Sequence, residues 1–261
     1  RRLNQFTGPF ILRRMKSEVL RELPPKTENV RRVELETEQR KLYLAAVVDA
    51  REKLRAAKPE DKMTVFAVLM RLREICCDPR LVADNWTGSS AKLEACLELV
   101  TEAVAGGHRI LLFSQFTSML ELLAKRLDEA GVSHFTLQGS TPKPVRAEQV
   151  RRFNQGEADV FLISLRAGGT GLNLTAADIV IHYDPWWNLA AQNQATDRAY
   201  RIGQRNPVQV YRLIAQDTIE EKIVELQQAK QSLADTVTGG ADGAILSMNP
   251  EQLLQLLGEE A

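Results

Sequence analysis

The hydrophobic rhythm of the chain changes near residue 91. Before that point apolar positions recur at three- and four-residue intervals, the period of a helix with a buried face. One such stretch covers 38–55 and stops ahead of Pro59; a second covers 61–77 and stops ahead of Pro79. In the second, Val65, Val68, Leu69, Leu72 and Cys76 share a face and further apolar residues surround them. That helix is expected to pack on more than one side. Upstream, "NVRRVELE" (29–36) offers a strand candidate, and Pro24-Pro25 ends any helix in the stretch before it.

After residue 91 short apolar runs alternate with amphipathic stretches. The strand candidates are "RILLF" (109–113), "HFTLQ" (134–138), "DVFLIS" (159–164), "IVIHYD" (179–184) and "VQVYRLI" (208–214). Helices are expected near 91–105, 117–130, 142–155, 189–202 and 217–234. Met119, Leu120, Leu123 and Leu127 form one stripe, with Phe116 just ahead. The runs 110–113 and 159–163 are almost continuously apolar, as strands covered on both faces should be. Strands alternating with helices predict an α/β fold with a parallel sheet flanked by helices. In such sheets ligands gather at the carboxyl ends of the strands, so the segments after each strand carry the candidate chemistry.

Composition narrows the partners. With 34 Lys+Arg against 34 Asp+Glu the net charge is zero, so affinity for nucleic acid must come from local patches. Candidates are Arg13, Arg14 and Lys16; Arg31 and Arg32; and Lys143, Arg146, Arg151 and Arg152. Each could equally be a solvated face. The three cysteines, Cys76, Cys77 and Cys96, show no metal-binding spacing and read as small buried hydrophobes of a reduced, intracellular protein. The opening Arg-Arg-Leu-Asn offers no signal peptide, no apolar run approaches membrane-spanning length, and no metal site is expected.

The segments after the strands are rich in small and hydroxyl residues. Ser114-Gln115 follows the first run, and Gly139-Ser140-Thr141 follows the second, with Pro142 at an expected first helical position. Such residues at a helix start can bind an anion or simply cap the helix. The third run leads into "SLRAGGTGLNL" (164–174), whose Gly168, Gly169 and Gly171 allow close backbone approach but match neither common phosphate-loop spacing. The fourth leads into "DPWWN" (184–188), where one tryptophan is expected inward and the other toward a cleft. Then comes "QATDRAYRIGQ" (194–204). On a helix over 189–202, Gln194, Arg198 and Arg201 share one face, a suitable set for an anionic group, with Gly203 as the closing residue. The alternative is an ordinary salt bridge with Asp197 or a sheet-edge acid.

In their order these segments resemble the Swi/Snf-type branch of the superfamily-two helicase-like ATPases, specifically its second RecA-like lobe. "ILLFSQFTSMLELL" (110–123) resembles helicase motif four, "LQGSTPKPVRAEQVRRFN" (137–154) the segment after it, 160–188 motif five with its extension, and "QATDRAYRIGQ" motif six. Upstream, "PFILRRMKSEVLRELPPK" (9–26) resembles the exit of the first lobe and "RLREICCDPRLV" (71–82) a helix of the lobe-two protrusion. "TIEEKIVELQQAKQSLADTV" (218–237) resembles the brace that follows motif six. The implied organisation is a linker over 1–28, a mainly helical protrusion and lead-in over 29–90, the lobe over 91–216, a brace helix over 217–237 and a tail over 238–261. The tail is expected to start flexible and to form a short helix from Pro250.

The resemblance implies an ATPase that translocates on double-stranded DNA and remodels DNA-bound protein complexes. ATP with Mg2+ would lie between two lobes. The first lobe would supply the phosphate loop and the metal ligands, and this chain would supply Arg198 and Arg201 as arginine fingers. Gln194, Gly169 and Gly171 match nucleotide-side positions; Ser114, Gln115, Gly139, Ser140, Ser164, Arg166 and Trp187 match DNA-side positions. Partners implied are double-stranded DNA, the N-terminal RecA-like lobe and a DNA-bound protein, with no membrane. The 261 residues contain no G-x-x-x-x-G-K-[ST], so this chain alone is expected to be catalytically incomplete. Two other readings stay open: half of an RNA helicase, disfavoured by Arg201-Ile-Gly-Gln204 in place of an arginine-rich ending, and a non-catalytic DNA- or protein-binding module.

Overall fold

A computed structural model describes residues 23–165, 167, 171–234 and 248–258. Its centre is a six-stranded, wholly parallel sheet. The strands are β1 (Lys26–Val33), β2 (Ile110–Ser114), β3 (His134–Leu137), β4 (Val160–Ser164), β5 (Ile179–His182) and β6 (Val208–Ala215), in the order β1-β6-β5-β2-β4-β3. Every residue of β2, β4 and β5 is buried, as their unbroken apolar runs require. The strand candidate at 29–36 is realised three residues earlier, as β1, and joins the lobe's own sheet at the edge beside β6.

Alternation along the strands divides the core in two. Ile110, Leu112, Val160, Leu162, Ile179 and Ile181 face one side and pack with α3 (Ala91–Ala105) and α4 (Thr117–Glu129). Leu111, Phe113, Phe161, Ile163 and Val180 face the other, against α5 (Lys143–Asn154) and α6 (Leu189–Thr196). The stripe Met119, Leu120, Leu123 and Leu127 is fully buried, with Phe116 beside it.

A third cluster lies at the β6 end. Here α1 (Thr37–Ala56) and α2 (Lys62–Cys77) pack with α7 (Ile219–Ala234) and α8 (Pro250–Leu256) through Tyr43, Leu69, Leu72, Ile219, Ile223 and Leu253. The short helix expected from Pro250 is present. Asn249 and Gln252 form a reciprocal capping box at its start, and Leu253 is its buried anchor. The flexible start expected for the tail lies outside the described residues, as do Arg13, Arg14 and Lys16. Among the described residues no helix is long and apolar enough to cross a membrane.

One helix is shorter than its sequence pattern. The expected helix over 189–202 is α6, and it ends at Thr196. The residues beyond it turn more tightly: Arg198 N donates to Ala195 O (3.1 Å) and Ala199 N to Thr196 O (3.1 Å). The cause is tertiary. Arg198 O accepts from Leu174 N (3.0 Å), so it is committed to the loop after β4. The Gln204 side chain donates to Ala177 O (2.7 Å) and Ala199 O (3.1 Å), and accepts from the amides of Arg205 and Asn206. Gly203 closes this turn at φ +101°, rather than capping α6, whose C-terminal neighbour is Asp197.

Candidate nucleotide and DNA site

Arg198 and Arg201 therefore stand on a pinned turn, not on a helix face. Arg198 is 7% exposed, and its Nε has no hydrogen-bond partner among the described residues. Burial, and then the charge of Arg201, pushes the Arg198 guanidinium below its ordinary pKa, with Asp197 opposing. A guanidinium with so high an intrinsic pKa stays charged all the same. Arg201 is exposed, and neither arginine makes an ion pair with a described residue. Two like charges, one of them desolvated, thus stand close together with no ion pair to a described residue; Asp197 acts on Arg198 through space but forms no salt bridge with it. This is a fitting host for a polyanion.

Gln194 is exposed on α6, one helical turn before Arg198. Gly171 is exposed at φ +32°, a conformation that suits glycine, and the Leu174–Arg198 backbone bond brings its segment alongside the arginine turn. Gly168, Gly169 and Arg166 lie outside the described residues.

The DNA-side candidates gather at the carboxyl ends of β2, β3 and β4. Gln115, Gly139, Ser140, Ser164 and Trp187 line one cavity of about 780 Å³, together with Trp186. Ser114 is the exception. It is fully buried: its hydroxyl donates to Asp184 Oδ1 (2.6 Å) and accepts from Phe116 N (3.2 Å). It shapes the turn into α4 through Phe116, the residue at the helix's N-cap position, and is not itself a helix cap. Ser164 Oγ accepts from Ala167 N at 3.3 Å. After β3, Thr141 Oγ1 accepts from Gln138 N (3.0 Å), and α5 begins at Lys143, one residue after Pro142.

Both tryptophans are half-buried and both line the cavity, and Trp187 also packs against the third hydrophobic cluster. Trp187 is held between the Phe66 ring, 6.3 Å away, and the Arg73 guanidinium, 4.1 Å from its centroid. The Trp186 carbonyl accepts from Gln227 on α7.

Arg73 and Asp184 are the site-supporting residues that the sequence reading missed. The signal was available: Arg73 is a charged residue on the buried face of an apolar helix, where it must have a partner. Four arginines of the described basic patches resolve the other way. Arg31 pairs with Glu98, Arg32 with Glu221 (3.0 Å), Arg151 with Glu148 (2.6 Å) and Arg152 with Glu157 (2.7 Å). They behave as solvated, paired faces.

The likeness to known proteins agrees with this arrangement. Residues 91–203 match the helicase conserved C-terminal domain, and residues 1–81 match the SNF2-related domain. An uncharacterised ATP-dependent helicase of Mycoplasma pneumoniae is 40% identical over 97% of this chain. The solved Sulfolobus solfataricus SWI2/SNF2 ATPase core in complex with double-stranded DNA superposes with a TM-score of 0.76 at 30% identity, covering 100% of this chain and 56% of that one. The C-terminal domain of the same ATPase superposes with a TM-score of 0.74 at 27% identity, covering 90% of this chain and 100% of that one. The chain spans about a quarter of the length of the curated relatives it matches (25%, 25% and 28%). By its motifs, its sheet and these relatives, the chain belongs to the SNF2 family of ATP-dependent, helicase-like proteins and carries that family's C-terminal lobe.

Proposed function

We propose that this chain is the C-terminal motor lobe of an intracellular SNF2-type ATPase, coupling ATP hydrolysis to translocation on double-stranded DNA and to remodelling of DNA-bound protein complexes. The observation that carries the reading is the pair Arg198 and Arg201, held close together with no ion pair to a described residue and with Arg198 buried. ATP supplies the γ-phosphoryl group whose transfer drives the motor. The guanidinium of Arg198, shielded from water, is suited to stabilise negative charge that builds on phosphoryl oxygens, and Arg201 adds a second donor fork. Gln194 and Gly171 border the same turn from α6 and from the loop after β4. We read Mg2+ as held by the N-terminal lobe, the partner that completes the site.

Gln115, Gly139, Ser140, Ser164 and Trp187 offer amides, hydroxyls and one aromatic face along a single cavity. Such groups suit contacts to a phosphate backbone, with little reading of base sequence. The test is ATP turnover with and without double-stranded DNA, for this chain alone and for this chain joined to its upstream lobe. The reading expects silence alone and DNA-stimulated turnover when joined. DNA binding without turnover in the joined protein would favour a binding module instead.

A further inference from the structure

His182 ends β5 at the middle of the sheet, with Phe113 of β2 and Arg212 of β6 as its register partners. It is 1% exposed and its ring stacks on Phe113, with centroids 5.6 Å apart. Its Nε2 lies 2.8 Å from Thr196 Oγ1. Thr196 is buried and is the last residue of α6.

The hydroxyl of Thr196 has one proton, and it donates to Gln192 O (3.4 Å). The oxygen then accepts from His182, an assignment made from the hydrogen-bond network: the proton goes on Nε2, because the other tautomer would bury an Nδ1–H with no acceptor among the described residues. Nδ1 indeed has no partner among the described residues, and an unprotonated nitrogen is the tolerable one to leave so. Burial first, then the charges of Arg212 and Lys26, keep this ring neutral.

Thr196 is also where the arginine turn starts. Asp197 N donates to Asn193 O (2.9 Å), and Arg198 N donates to Ala195 O one turn back. A path of buried contacts therefore runs from Phe113 through His182 and Thr196 to the backbone of Arg198. An apolar residue at 182 could fill the same space, but it could not tie the helix end to one height above the sheet.

We infer that His182 is a positioning residue for the arginine pair, its Nε2–H bond to the Thr196 hydroxyl setting where the end of α6, and with it Arg198, stands over the sheet. This rests on reading Arg198 and Arg201 as directed at the transferring phosphoryl group.

The test uses Thr196→Val, which keeps the shape and removes the hydroxyl, Thr196→Ser, which keeps the hydroxyl, and Arg201→Ala as a control. In the two-lobe protein Thr196→Val is expected to lower kcat about 10-fold or more with KM for ATP little changed, and Thr196→Ser to restore it. In this chain alone, Thr196→Val should speed amide hydrogen exchange about 10-fold at 197–204 while 110–114 and 160–164 stay protected. The protected strands show that the variant is folded. If Arg201→Ala abolishes turnover but Thr196→Val matches the unsubstituted protein, or exchange at 197–204 is unaltered, the inference is overturned by itself. If Arg201→Ala turns over normally, the arginine reading fails and the inference fails with it.

Discussion

Arg73 Nη2 lies 3.3 Å from Asp184 Oδ2 with both side chains wholly buried, and the same nitrogen donates to Pro185 O at 2.6 Å. Asp184 also accepts from the Ser114 hydroxyl (2.6 Å) and from Gln115 N (3.2 Å). One carboxylate thus joins α2 to the ends of β2 and β5, behind the wall that presents Trp187. Burial raises the Asp184 pKa, while Arg73 and Ser114 pull it back. Arg73→Met leaves that carboxylate buried and unpaired, and is expected to cost about 3–5 kcal/mol. Adding Asp184→Asn to it should cost less than the sum of the two single losses. Denaturant unfolding checks this, and strictly additive losses would show that the pair is not coupled.

His182 predicts a pH dependence of stability. Its folded pKa is lowered to about 3 from 6.5, chiefly by burial. Between those values the unfolded chain binds the proton and the folded chain does not. The contribution is therefore complete above pH 6.5 and is lost as pH falls through the window toward 3. The limiting slope for one group is about 1.4 kcal/mol per pH unit. Unfolding free energies measured between pH 6.5 and 5, above the ordinary carboxylate range, should fall with pH. His182→Phe should flatten that fall, and ring NMR shifts of His182 should not titrate over the same range.

The three cysteines should be inert in the folded protein. Burial pushes the thiols of Cys76 and Cys96 up to about 12 and that of Cys77 well above its ordinary value. All three are buried, so neither access nor thiolate is provided. A thiol reagent at neutral pH should label none of them until denaturant is added. Rapid labelling of the native chain would contradict the packing of α2 against α3.

Gly203 tests the arginine turn without touching an arginine. At φ +101° an added Cβ meets nothing closer than Thr175 Cγ2 at 3.9 Å, so the cost is conformational rather than steric crowding. Gly203→Ala is expected to destabilise by about 1–2 kcal/mol and to disturb the position of Arg201. Thermal unfolding reads the first effect. A loss of ATP turnover in the two-lobe protein at a temperature where the variant is folded reads the second.

Much of this architecture is legible in the chain. The runs 110–113 and 159–163 are so continuously apolar that only doubly covered strands suit them, and the amphipathic stretch 91–105 is α3 as bounded. The end of α6 was not legible. Periodicity continues through Arg201, but the bonds that break the helix come from Leu174 and Gln204, and no local pattern records them. Nor could spacing seat β1 beside β6, since that pairing joins residues far apart in sequence. Ser114 shows a further kind of difference: it sits at the carboxyl end of β2, where the sequence reading put it, but its hydroxyl is already occupied by Asp184.

The role proposed for Arg198 and Arg201 in phosphoryl transfer rests on a cationic turn that makes no ion pair with a described residue. The most direct measurement is DNA-stimulated ATP turnover by the two-lobe protein, comparing Arg198→Ala, Arg201→Ala and Arg201→Lys with the unsubstituted sequence. The account predicts that each alanine lowers kcat by about 1,000-fold or more, and that lysine at 201 recovers little of it because it lacks the planar fork. Turnover by Arg201→Ala within about twofold of the unsubstituted protein would contradict the account.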